Sequence, residues 1–151
     1  MTRRLASRVL FALSCLTFAS LASAGIHAGL GPVDEIEGKS SALATLSWET
    51  GSAHPWEFMA GIIGARDAAA IHTPRVYFGS VSKRFTWNGW FAQGGIAATN
   101  SDTEVLSGHW QFHTGLGYRH GRYSASLRHL SNANTGGRNR GETFLLFQFG
   151  F

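Results

Sequence analysis

The stretch Arg128-His129-Leu130-Ser131-Asn132-Ala133-Asn134, with Gly141-Glu142 a little further on, carries the side chains of this 151-residue chain best suited to chemistry. An imidazole, a hydroxyl and a carboxylate are what ester hydrolysis by a serine nucleophile requires. In that chemistry Ser131 attacks an acyl carbonyl, and His129 takes the hydroxyl proton and later delivers it to the leaving alcohol. Glu142 orients the imidazole and stabilises its charged form. The oxyanion needs hydrogen-bond donors, for which the Asn132 side chain and the backbone N–H groups of the loop are candidates. His-x-Ser alone has almost no specificity. A His and a Ser at a strand end can equally bind lipid headgroups or cap a loop, and Glu142 can be an ordinary rim charge.

What decides between these readings is the element that carries the residues. On a β-strand, residues two apart share a face. Tyr123, Ala125 and Leu127 precede His129 and Ser131 on one face, while Ser124, Ser126 and Arg128 occupy the other. Alternation of this kind recurs in eight segments: 26–31, 42–50, 56–65, 75–85, 89–99, 110–120, 123–131 and 143–151. The clearest sets Trp110, Phe112, Thr114, Leu116 and Tyr118 against Gln111, His113, Gly115 and Gly117.

A soluble sandwich or lipocalin-like barrel turns such an apolar face inward, whereas a transmembrane barrel turns it to lipid. The second face here is Gly, Ser, Thr, Gln, His and Arg, which suits a polar lumen. The chain ends on Phe151 with Phe149 and Phe147 at alternate positions before it. This ending resembles the terminal-strand signal by which bacterial outer-membrane barrels are recognised for assembly. On a soluble protein the same unblunted strand would be an aggregation hazard. The expected fold is therefore all-β: an eight-stranded antiparallel transmembrane barrel of the bacterial outer membrane.

Eight strands enclose only enough space for side chains, so a diffusion pore is not expected. Function must then lie on the outer wall, the rim or the loops. Alternate connections place 51–55, 86–88 and 121–122 in the periplasm and the longer 32–41, 66–74, 100–109 and 132–142 outside. His129 and Ser131 fall on the lipid-facing wall near its external end, and Glu142 begins the neighbouring strand at the same end. A polar group facing hydrocarbon is costly without a purpose, which makes these residues a functional-site hypothesis.

Composition agrees with this reading. With 44% hydrophobic and 13% aromatic residues, the chain is not disordered, and its 19 Gly follow no collagen period. Residues 1–24 have the parts of a cleaved signal peptide: Arg3, Arg4 and Arg8, an apolar stretch, and Ala22-Ser23-Ala24. The expected mature barrel domain is 25–151, without the lone Cys15. Three of the thirteen basic residues leave with the leader and all nine acidic ones remain, for a net charge of +1. Nucleic-acid binding loses its support. No apolar run after residue 24 approaches the ~20 residues of a membrane helix.

His129-x-Ser131-Asn132-Ala133, followed by Glu142 on the terminal strand of a small barrel, resembles the lipid A 3-O-deacylase (PagL) family. Leu46-Ser47-Trp48 and Gly95-Ile96-Ala97 extend the likeness loosely, but only the last 25 or so residues are specific. The resemblance implies an outer-membrane barrel that removes the 3-O-linked β-hydroxyacyl chain of lipid A in the outer leaflet, without a cofactor. It implies Ser131 as nucleophile, His129 as base, Glu142 as orienting acid and Asn132 as a supporting residue. Members often carry Tyr where this chain has Leu130, and Gly soon after the Ala, where it has Asn134.

Other expectations follow. His109, His113 and His120 lack ligand spacing on one face, so no metal is expected. Arg138 and Arg140 are either solvated loop charges or guanidinium groups that read lipid A phosphates. The partners implied are lipopolysaccharide, outer-membrane lipid and, through the Phe151 strand, the outer-membrane assembly machinery; a homodimer is left open. The rival reading is a non-enzymatic barrel serving adhesion, surface protection or membrane integrity, and a third is a soluble periplasmic ligand-binding barrel.

Overall fold

The computed structural model describes residues 25–135 and 140–151. The expected leader 1–24 and Arg138 lie outside the described residues. The strands are β1 (Gly25–Ile36), β2 (Lys39–Glu49), β3 (Trp56–Ile63), β4 (Arg66–Asp67), β5 (His72–Thr73), β6 (Val76–Trp87), β7 (Trp90–Thr99), β8 (Trp110–His120), β9 (Tyr123–Ser131) and β10 (Glu142–Gly150). Eight of them close an antiparallel barrel in the order β1-β10-β9-β8-β7-β6-β3-β2, while β4 and β5 pair with each other in the connection from β3 to β6.

Apolar residues face outward around this wall. On β8, Trp110 is 69% and Phe112 52% exposed, whereas the alternating Gln111 and His113 are buried. A soluble fold would reverse that pattern, so the wall is built for hydrocarbon. Aromatic pairs such as Trp48 with Phe58, Trp90 with Tyr118, and Tyr123 with Phe149 lie on this outer face. Closure of the first and last strands needs Gly31, where a Cβ would come within 1.7 Å of the Leu145 carbonyl oxygen.

The lumen is filled, in two zones. Toward the periplasmic end Glu57 accepts from Arg84 at 2.7 Å and from Arg128 at 2.6 Å. Glu49 accepts from Arg84 at 2.5 Å and Arg119 at 2.6 Å, with Gln93 and Gln148 joining the network. Toward the external end the filling is apolar: Val33, Leu43, Ile63, Phe78, Leu130, Phe144 and Leu146 form one buried cluster. Sequence alternation suited a polar lumen, and the external half departs from it.

The connections largely keep their expected sides, with one correction. The first external connection, expected over 32–41, is only the turn Glu37-Gly38, both residues at positive φ (48° and 76°). Strands β1 and β2 continue beyond the barrel as a hairpin, and a two-residue turn with both central residues at positive φ suits the twist of such a hairpin. Its tip residue Ile36 packs with Ala68, Val105 and Ile71 from the neighbouring external connections. At the periplasmic end Asn88-Gly89 makes a turn of the same kind, φ 48° and 84°.

Candidate active site

The site is built where β9 reaches its external end. Residues 128–131 alternate in and out of the barrel: Arg128 and Leu130 are buried in the lumen, while His129 and Ser131 are half-buried on the outer face. The pleat therefore brings the expected base and nucleophile together on the lipid side.

It does not bring Glu142 to them. Register pairs Glu142 with Leu130 and Thr143 with His129, so Glu142 shares the lumen face. Its carboxylate is buried and bonded to Arg66, whose guanidinium also donates to the Asp34 carbonyl at 2.7 Å. The partner of the imidazole is instead Thr143, with His129 Nδ1 2.9 Å from the Thr143 hydroxyl oxygen. The expectation that Glu142 orients His129 is thus corrected by the pleat of β10, which turns adjacent residues to opposite faces. An Nδ1–H donated to Thr143 leaves Nε2 as the bare, basic nitrogen. A hydroxyl fixes ring and tautomer but supplies no negative charge.

Gly141 gives the ring its place. Its φ is +77°, and a Cβ there would lie 2.5 Å from His129 Cε1 and 2.7 Å from Nε2. Both the conformation and the space demand glycine at this position.

The loop after Ser131 is held by Asn132, whose side chain points inward and is buried. Its Nδ2 donates to the carbonyl (2.5 Å) and the hydroxyl (3.2 Å) of Ser107, which uses both hydrogens. Its Oδ1 accepts from the Asn134 amide at 2.9 Å, and its carbonyl from Thr135. Asn132 thus ties the loop to Ser107, and its carboxamide N–H groups are engaged there rather than free for an oxyanion. That geometry leaves Ala133 and Asn134 in the left-handed region, φ 53° and 61°. An alanine there is strained, and such strain tends to be kept where it serves a site. Here it aims the Ala133 N–H at Ser131 Oγ, 3.2 Å away.

The β7–β8 connection steadies both ends of this arrangement. Ser107 takes Asn132, and the Val105 carbonyl accepts the Gly141 N–H at 2.8 Å. Sequence reasoning missed Thr143, Ser107 and Arg66. Only the first had a visible signal: Phe147, Phe149 and Phe151 on the outer face fix the parity that puts Thr143 beside His129. Arg140 Nη2 donates to the Glu35 carbonyl at 2.9 Å and stands 3.9 Å from Asp34, on the exposed external rim. His113 lies in the lumen against Ser80, and no metal-holding cluster occurs among the described residues.

Fold and site together define a small outer-membrane barrel with hydrolase-type groups on its lipid-facing wall. The profile of the lipid A 3-O-deacylase (PagL) family matches residues 35–151, and the chain belongs to that family. Among solved structures it is similar to the outer membrane enzyme PagL, at 18% identity and a TM-score of 0.52, over 84% of this chain and 99% of that one. No curated protein matches it.

Proposed function

We propose that this barrel deacylates lipid A at the 3 position in the outer leaflet, with Ser131 as nucleophile and His129 as general base. His129 Nε2 removes the Ser131 proton as Oγ attacks the ester carbonyl of the 3-O-linked β-hydroxyacyl chain. The tetrahedral oxyanion accepts a hydrogen bond from the Ala133 amide. Collapse breaks the bond to the sugar oxygen, which takes the proton back from the imidazolium and leaves as the alcohol. Water then attacks the acyl-Ser131 ester with His129 again as base, releasing the β-hydroxy fatty acid and restoring the serine.

Thr143 takes the orienting role that the sequence suggested for Glu142. The observation that carries this reading is the pairing of His129 and Ser131 on the lipid face, with Nδ1 tied to Thr143, in a chain of the lipid A 3-O-deacylase family. Arg140, from its place at the rim, is proposed to meet lipid A phosphate, and the sequence suggests the same partner for Arg138.

The test is release of β-hydroxy fatty acid from lipid A by the purified barrel in detergent. Release by wild type that disappears in Ser131→Ala and His129→Ala, with the barrel still folded, is expected. Unchanged release in both variants would overturn the assignment, and no release by wild type would favour the non-enzymatic barrel.

A further inference from the structure

Thr114 is the cross-strand neighbour of His129 on the side away from Thr143: one outward row of the wall runs Gly94, Thr114, His129, Thr143. Its side chain is exposed on the lipid face, and its hydroxyl makes no hydrogen bond among the described residues. The equivalent hydroxyl on the other flank, Thr143, is engaged by the imidazole. A hydroxyl without a partner is unfavourable in hydrocarbon. Thr114 therefore stands as a donor and acceptor held one strand spacing, ~4.8 Å, from the proposed base.

Its surroundings shape what it would meet. The row on the Ser131 side carries Ile96 and Phe112, exposed to 54% and 52%. The row on the other side carries Leu116, Leu127 and Leu145. Rows lie ~6.6 Å apart along the strands, and Gly94 and Thr114 are smaller than the flanking Ile96, Phe112 and Leu116, which leaves room beside His129 for a shallow furrow about one acyl chain wide. Beyond Thr114 the furrow stays open at Gly94, where a Cβ would meet nothing within 4 Å. An acyl carbonyl held at Ser131, with its chain laid in this furrow, brings the β-carbon over Thr114.

We infer that Thr114 recognises the β-hydroxyl of the acyl chain that Ser131 removes, and so selects hydroxylated over plain acyl groups. The inference rests on the deacylase reading above and adds a specificity residue to it. Diagonal neighbours across a strand pair are ~7–8 Å apart, a span that the two hydroxyls and the short C1–C3 segment can bridge. A site built to hydrogen-bond a substrate hydroxyl rejects the analogue lacking it, because its own polar group is then left unpaired.

The experiment compares kcat/KM for two lipid A analogues whose 3-O-acyl chains have equal length, one with and one without the β-hydroxyl. Wild type is expected to favour the hydroxylated chain by about tenfold or more, the worth of one hydrogen bond shielded from water. Thr114→Val keeps shape and branching on a lipid-facing position, so the barrel is expected to fold. It should lose the preference by slowing only the hydroxylated substrate, while Thr114→Ser should retain it. A preference equal in wild type and Thr114→Val, or none in wild type, overturns the inference while leaving the deacylase reading intact. Hydrolysis of neither substrate by wild type overturns the deacylase reading itself.

Discussion

Arg128 and His129 are adjacent in the chain, yet the pleat of β9 sends them into opposite environments. Inside, Arg128 donates to both oxygens of Glu57 and to Gln148 and Ser126, so that its charge and nearly all its donors are matched. Outside, among the described residues, the His129 side chain has one hydrogen bond, to Thr143, and the Ser131 hydroxyl has one, from the Ala133 amide. In the lumen the Glu57, Arg84 and Arg128 charges are matched to one another and thereby hold the barrel together, whereas the wall leaves part of its hydrogen-bonding capacity open toward lipid. Saturated groups stabilise; groups with spare capacity are the ones able to take a substrate.

Mutations on the two faces should therefore have separable consequences. On the wall, Ser131→Ala is expected to lower turnover by about a thousandfold or more, since residues of such a unit each carry most of the effect. Its circular dichroism and its unfolding midpoint should stay at wild-type values. A variant that loses activity only in proportion to lost folded protein would erase the contrast.

The opposite outcome is expected in the lumen. Glu57→Ala leaves two guanidinium groups facing a buried gap, and breaking a buried pair costs about 3–5 kcal/mol. The midpoint of denaturant unfolding should fall accordingly, while turnover per folded molecule changes little. Equal loss of turnover and stability would show that the two faces are coupled rather than separate.

Much of this division was legible in the sequence, because period-two alternation is a property of the strand itself. The parity of 110–118 and of 143–151 was enough to set which face meets lipid, and it put His129 and Ser131 together. The same parity applied to β10 also turns Glu142 inward, since it is out of step with Phe147, Phe149 and Phe151. A triad read by residue type alone overlooks this. The pairing of Glu57 with Arg84 and Arg128 was not legible, because it spans strands that are distant in the chain and depends on the stagger of barrel closure. The loop contacts of Ser107 with Asn132, and of Arg66 with Glu142, likewise follow from how external connections fold over the mouth. No local pattern encodes that.

Positions 142 and 143 give the sharpest form of the comparison, as neighbours on opposite faces. Thr143→Val removes the partner that His129 Nδ1 has among the described residues, freeing ring and tautomer, and is expected to lower kcat by about tenfold with little change in KM. Glu142→Gln keeps the shape at the buried contact with Arg66 and changes no atom that touches the imidazole. It should lower the unfolding midpoint and leave kcat within about threefold of wild type, less than one hydrogen bond's worth. The reversed ranking, with Glu142→Gln the more damaging to kcat, would mean that the carboxylate reaches His129 during turnover.

The smallest effect belongs to the rim, where neither regime applies. Arg140 is half exposed, and its contacts with the Glu35 carbonyl and with Asp34 are those of a surface pair, worth ~0–1 kcal/mol in water. Arg140→Ala should therefore leave the unfolding midpoint within ~0.5 kcal/mol of wild type. If its remaining donors meet a phosphate, KM for phosphorylated lipid A should rise severalfold, with kcat unchanged because the contact is remote from the ester. The same variant acting on dephosphorylated lipid A should match wild type, and added salt should narrow the difference, since an exposed ion pair is screened. A rise in KM of equal size on both substrates would assign Arg140 to holding the tip of β1 rather than to reading charge.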